Sequence, residues 1–279
     1  MMRLALCLAL AFSALWVQPK LSAAQVTDRL ETRGALLGWE AVGRIDMESG
    51  FCTGALIARD LVLTAAHCVM PQGGLRDPGR ERIVFRAGHA NGVDLATRDV
   101  VKIVVDPTYR PTGTGKITGD MIRHDIALLQ LDSPIHDVGI DPYAILDGLS
   151  RQDEVILASY GQGRTESLTL ERGCLLEARY SGGIVQFDCD ATFGSSGAPV
   201  FKRDNGRLRI FSIISGGGED ETGRKRVFGM NLPQKVAQLK IRMRNSPHPS
   251  RSNTGFKRIG AGERNTDASS RRFIRAPGG

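Results

Sequence analysis

Phe51-Cys52-Thr53-Gly54-Ala55-Leu56-Ile57 leads through Leu63-Thr64-Ala65-Ala66-His67-Cys68, and these residues decide how the rest of the chain is read. Residues 52–58 and 61–65 are short apolar runs of the kind that form strands. The second ends directly on a histidine and a cysteine. Two further segments follow in chain order: His124-Asp125-Ile126-Ala127-Leu128-Leu129, then Gly194-Ser195-Ser196-Gly197-Ala198-Pro199. Each is ordinary alone. A His-Cys pair is usually structural, His124 reads as a surface residue, and Gly-Ser-Ser-Gly is usually a flexible turn. In this order, a histidine, an aspartate and a serine between glycines supply a base, its partner and a hydroxyl nucleophile.

Outward from residue 51, short β-type runs recur with turns between them. The first set covers residues 41–45, 52–58, 61–65, 82–87, 100–105 and 126–131. The second covers 155–160, 175–180, 184–188, 198–201, 208–215 and 225–230. Gly73-Gly74, Asp77-Pro78-Gly79, Asn91-Gly92, Ser181-Gly182-Gly183 and Asp204-Asn205-Gly206 punctuate them. Low aromatic content (6%) and 33 glycines also suit short strands and turns better than a helical bundle. Six runs and six runs predict an all-β fold of two six-stranded antiparallel barrels. The first spans residues 41–131 and the second, with a C-terminal helix, 153–244. Residues 132–152, with Pro134 and Pro142, read as the connection, and residues 25–40 as a leader without strong pattern. The helix is expected over 233–244, with Asn231 as its cap, Pro233 in its first turn, and Val236 and Leu239 on one face.

The ends differ from the middle. Residues 1–24 have the form of a signal peptide: Arg3, an apolar run from Leu4 to Val17, then Ser22-Ala23-Ala24 before Gln25. The run is about 14 residues, short of the roughly 20 that span a bilayer. The chain is therefore expected to be secreted or periplasmic, with no stable membrane insertion once the signal is removed. Residues 245–279 are rich in Ser, Pro, Gly, Asn and Arg and read as a disordered tail. They carry seven Lys/Arg against Glu263 and Asp267, so most of the formal charge of +7 sits there. Arg271-Arg272 and Lys257-Arg258 offer a weak polyanion-binding surface; a solvated tail explains them better, and no nucleic-acid partner is expected.

Without Cys7 of the signal, Cys52, Cys68, Cys174 and Cys189 remain. An even count in an exported chain suggests disulfides. Four cysteines allow three pairings; the local choice is Cys52–Cys68 and Cys174–Cys189. Each would close a loop of about 15 residues, contributing about 3 kcal/mol under the chain-entropy model. Paired C-x-x-C spacing and a histidine cluster are lacking, so no metal site is expected; nor is there a nucleotide loop, so no cofactor is expected.

The histidine, aspartate and serine segments together resemble the trypsin-like, chymotrypsin-fold serine protease family over roughly residues 41–244. Lacking long disulfide-linked insertions, the chain is more similar to the compact bacterial members, including the glutamyl-endopeptidase-like group. The resemblance implies an endopeptidase with His67 as base, Asp125 as its partner and Ser196 as nucleophile. Ser196, not Ser195, matches because Gly197 follows it. The N–H groups of Gly194 and Ser196 would form the oxyanion hole. Polypeptides would be the substrates, and a monomer is the default. Cys68 would tether the loop of the base to the strand at Cys52.

Two departures bear on activation and specificity. Ser195 stands where the digestive and clotting proteases have an aspartate that pairs with a newly cut N-terminus, so that activation switch is not expected here. Asp190, six residues before the nucleophile, matches the base of the primary pocket, which implies cleavage after Arg or Lys; alternatively it belongs to a polar Asp188-Cys189-Asp190 turn. Ser215 and Gly216 would pair with substrate backbone. No histidine lies around Ile213-Ile214-Ser215-Gly216, which argues against preference for Glu. An esterase of the α/β-hydrolase type would require a different residue order. A catalytically silent homologue acting as a binding module would be expected to lack one of the three residues, all of which are present.

Overall fold

The computed structural model describes residues 26–112 and 117–246. The signal-like segment, Cys7 and the tail beyond Ser246 lie outside the described residues. Fourteen strands run β1 (Val26–Leu30), β2 (Val42–Met47), β3 (Gly50–Ala58), β4 (Leu61–Thr64), β5 (Val84–Ala87), β6 (Ala96–Val105), β7 (Ala127–Leu131), β8 (Ala144–Ile145), β9 (Glu154–Gly161), β10 (Arg164–Arg179), β11 (Ile184–Phe187), β12 (Pro199–Asp204), β13 (Arg207–Glu219) and β14 (Lys225–Met230). Helix α1 is Ala66–Val69, α2 is Gly119–His124 and α3 is Pro233–Asn245.

The first barrel closes in the order β2-β3-β4-β7-β6-β5. Its bore is narrow, and glycine makes the closure possible. Gly43 and Gly54 pair across β2 and β3. A Cβ on Gly43 would lie 2.4 Å from the ring of Phe85, which fills the interior. In the second half, β10-β11-β14-β13-β12-β9 are hydrogen-bonded in sequence, and β9 pairs back to β10. That pairing closes a second ring of six. All its ladders are antiparallel; β8 adds a short parallel pairing on β13.

Each of the twelve expected runs falls on an observed strand, with ends that move by a few residues. The larger differences have physical reasons. β10 is 16 residues long, whereas the expected run, 175–180, covers only its C-terminal end. Leu168, Thr169, Leu170 and Glu171 are all buried, because β1 and β9 flank the strand and neighbouring layers cover it. The stretch alternates in sequence, Leu168 and Leu170 between Ser167, Thr169 and Glu171, but its polar face is buried too. The segment read as a patternless leader contains β1, which pairs with β10 from Val26↔Arg172 to Leu30↔Leu168. Leu36 and Trp39 from the same segment are core residues, and Trp39 meets Phe201 edge-on with ring centroids 5.3 Å apart.

α3 forms as expected and buries Val236, Leu239 and Met243 on one face. The expected cap does not. Leu232 occupies the cap position without a side-chain bond, and the Asn231 N–H donates to Gly183 O at 2.9 Å. At the other end Lys102 of β6 donates to Met243 O at 2.6 Å, satisfying a terminal carbonyl and fastening the helix to the first barrel. No helix among the described residues is long and apolar enough to cross a membrane.

Candidate active site

His67 sits on α1, the single turn that follows β4. Asp125 is the residue that ends α2, just before β7. Both therefore hang from neighbouring strands of the first barrel, since β4 and β7 pair along Leu61–Thr64. The contact between them is double. The His67 backbone N–H donates to Asp125 Oδ1 at 2.8 Å, and Nδ1 lies 2.7 Å from Oδ2. A third donor comes from the second barrel: the Ser215 hydroxyl bonds Asp125 Oδ2. Asp125 is 2% exposed, so its charge is held by these donors rather than by water. With Nδ1 committed as donor, Nε2 is the basic nitrogen of the ring. Burial works against a charge on His67, yet the Asp125 carboxylate and its hydrogen bond outweigh it, and the pKa is raised above 6.5.

Ser196 lies on the loop between β11 and β12 and lines a cleft of about 690 Å³ together with His67, Asp125, Ser215, Gly216 and Gly217. A second hollow meets it at His67 and Ser196 and runs past Phe51, Cys52, Cys68 and Gly194.

The loop around Ser196 is shaped by two glycines. Gly194 has φ +93°, and a Cβ there would come 2.2 Å from the Phe51 ring and 2.7 Å from Tyr160 O. At Gly197 a Cβ would meet Thr64 Oγ1 at 2.1 Å. Among the described residues the N–H groups of Ser195 and Gly197 donate to Thr192 O and Ile214 O, while no acceptor is recorded for those of Gly194 and Ser196. Thr53, whose role no local pattern reveals, ties the loop to the first barrel. Its N–H donates to Ser196 O at 2.9 Å and its hydroxyl to Gly194 O at 2.8 Å, and the hydroxyl accepts from Tyr160 N–H.

The remaining site residues divide. Ser215 and Gly216 line the cleft, but Ser215 also uses its side chain on Asp125, a contact that sequence separation conceals. Asp190 does not line the cleft, and its carboxylate is paired with Lys225. His124 is no plain surface residue: Nδ1 lies 3.0 Å from Asp106 Oδ2, which Lys235 also contacts. Both expected disulfides are present, Cys52–Cys68 with Cα atoms 6.2 Å apart and Cys174–Cys189 with 5.2 Å.

Two six-stranded barrels with a histidine–aspartate pair and a glycine-flanked serine at one cleft define the architecture of the chymotrypsin-like serine peptidases. The chain belongs to the trypsin-like peptidase domain family, whose model matches residues 52–209. It is 26% identical over 197 residues to serine protease snk of Drosophila melanogaster, covering 60% of this chain and 42% of that protein. The chain thus spans less than half the length of that relative. Among solved structures it is similar to a Glu endopeptidase bound to MPD, with TM-score 0.60 and 15% identity over 78% of this chain and 97% of that one. It is also similar to the thermostable serine protease AL20, with TM-score 0.58 and 18% identity over 74% and 98% of the two chains. Protease Anisep from Arthrobacter nicotinovorans matches with TM-score 0.58 and 16% identity over 77% and 97%. At such identities these structures speak for the fold alone.

Proposed function

We propose that this chain is an exported serine endopeptidase. The observation that carries the reading is the triply bonded Asp125 carboxylate, which fixes the His67 tautomer beside Ser196 in an open cleft. His67 Nε2 takes the Ser196 proton as Oγ attacks the carbonyl carbon of the substrate. The imidazolium so formed is stabilised by Asp125. The Gly194 and Ser196 N–H groups receive the developing oxyanion, an effect that contributes a factor of about 10² to 10³ per donor. His67 then returns the proton to the leaving amine, and an acyl ester on Ser196 remains. Water, deprotonated by the same nitrogen, releases the acid and restores the hydroxyl. Two disulfides and the signal-like N-terminus support export.

The reading of Arg/Lys preference loses its support. Asp190 is charge-paired with Lys225 and does not line the cleft, whereas Ala191, Thr192, Gly216 and Gly217, which do, carry no charge. We favour an uncharged side chain before the cut. A peptide-library profile tests this; enrichment of Arg or Lys at that position would reverse it.

The catalytic proposal is tested by fluorophosphonate labelling of purified chain beginning at Gln25, with peptide mass spectrometry. A stoichiometric adduct on Ser196, abolished in Ser196→Ala, is expected. Folded protein that takes no adduct would favour a silent homologue.

A further inference from the structure

The N–H, the carbonyl and the carboxylate of Asp190 each have a partner, and the residue is not among those that line the cleft. Its N–H donates to both oxygens of the buried Glu171 carboxylate, at 2.9 and 2.8 Å. Its carbonyl oxygen accepts from Arg164 Nη2 at 3.1 Å, and its carboxylate pairs with Lys225. Arg164 opens β10, directly after the tight turn from β9, and forms no ion pair with a carboxylate among the described residues. Its guanidinium lies in the nook behind residues 190–196. A Cβ placed on Gly161 would lie 2.5 Å from Thr192 Oγ1, 2.9 Å from Arg164 Nε and 3.2 Å from Ser195 Oγ, so glycine at 161 lets all three gather there.

The same hairpin holds the loop a second time. Gln162 N–H donates to Phe193 O at 2.7 Å, one residue before Gly194. The hairpin thus grips the loop at residues 190 and 193. Within the loop the Ser195 hydroxyl, fully buried, bonds Ser159 Oγ at 3.2 Å and accepts from Thr192 N–H. The hairpin is tied in turn by Arg29 of β1, whose guanidinium donates to Gly163 O at 2.9 Å.

We propose that Asp190 and Arg164 are positioning residues for the oxyanion hole, through which the β9–β10 hairpin holds the Gly194 and Ser196 N–H groups in place without any charge on Ser195. The proposal rests on the serine-peptidase reading and assigns Asp190 to loop geometry rather than to substrate choice. Arg164 supplies a fixed planar donor that reaches a main-chain carbonyl. Asp190 joins that donor to β10 through Glu171 and to β14 through Lys225. Neither residue touches the reacting atoms; both act on the peptide units that do.

The test uses the chain from Gln25 with Asp190→Asn, Arg164→Gln and Arg164→Lys. Three readouts are taken: the rate of fluorophosphonate labelling, kcat and KM on peptides that differ only in the residue before the cut, and amide exchange across residues 190–196. Arg164→Gln should slow labelling and lower kcat by 10- to 100-fold, and Asp190→Asn, which keeps the main-chain bonds to Glu171 and Arg164 and loses only the charge pair with Lys225, should do so by a few-fold. The loss should be equal for every residue before the cut, KM should stay within about twofold, and exchange at 190–196 should rise. Arg164→Lys should recover part of the rate. Asp190→Asn that loses activity on Arg and Lys substrates alone would overturn the proposal, as would unchanged labelling and exchange. Should Arg164→Gln fail to fold, Lys225→Met, at a half-exposed position, should still raise exchange and slow labelling. A wild-type chain that takes no label would defeat the peptidase reading, while amide exchange in Asp190→Asn would still decide whether the loop is held this way.

Discussion

The hydroxyl of Thr53 donates to the carbonyl oxygen of Gly194 across 2.8 Å, although the two residues are 141 positions apart. Through that bond a strand of the first barrel fixes the peptide unit after Gly194 in the second. The same hydroxyl accepts from Tyr160 N–H at 3.0 Å, so it has both a donor and an acceptor to satisfy in a fully buried place. His67 and Ser196 are carried by different barrels, and Thr53 is one of the residues that tie the two together.

Thr53→Val keeps the shape and removes the hydroxyl. It leaves a buried N–H and a buried carbonyl without this partner, at a cost of about 1–3 kcal/mol. The expected outcome is a melting temperature lowered by several degrees and kcat/KM lowered by more than tenfold, with the loss in kcat. Thermal unfolding and steady-state kinetics on one substrate check both.

Ser215→Ala removes one of the three donors to Asp125. The carboxylate then keeps more of its charge for the imidazolium, so the His67 pKa should rise further. The acid limb of the kcat/KM profile should move to higher pH, with a several-fold loss at the plateau. A limb that stays in place would show that Ser215 serves packing alone.

The raised pKa of His67 has its own signature. Catalysis needs the neutral ring, so kcat/KM should increase through an apparent pKa above 6.5. The sign for stability is opposite. A folded-state pKa above the unfolded value contributes stability that is fully present below the unfolded value and is lost as pH rises through the folded one. Asp125→Asn should move the kinetic limb downward and lower kcat on the order of 10⁴-fold. A pH–rate profile of both proteins is the measurement.

The two disulfides should differ in consequence although they close loops of similar length, with sequence separations of 16 and 15. Replacing either pair by serine should cost about 3 kcal/mol. Loss of Cys52–Cys68 frees the turn that carries His67 and should reduce kcat as well. Loss of Cys174–Cys189 acts next to Glu171 and Asp190 and should appear mainly as faster amide exchange in residues 190–196.

Local pattern made much of this molecule legible. Alternating or continuous apolar runs bounded by Gly, Pro and Asn marked the twelve strands that build the barrels, because each strand must bury a face and each turn needs its own backbone conformations. β1 and the first part of β10 escaped for different reasons: β1 is short and mostly exposed, with Leu30 its one buried residue, and in β10 Glu171, Arg172 and Gly173 interrupt the run before Cys174. The Asn231 cap failed because a helix end can be satisfied by tertiary contacts as well as by its own cap residue.

The order of His67, Asp125 and Ser196, the glycines at 194 and 197, and the four cysteines beyond the signal-like segment are properties of the chain itself, since those chemistries depend on residue type and local backbone freedom. Which charge meets which is not. Asp190 looked like a pocket carboxylate by its spacing from Ser196, yet Lys225, Arg164 and Glu171 take up all of its polar groups. The partners of the Ser215 and Thr53 hydroxyls come from across the two barrels. Such pairings join residues tens of positions apart, and a carboxylate's role follows from its neighbours in space, which only the folded chain assembles.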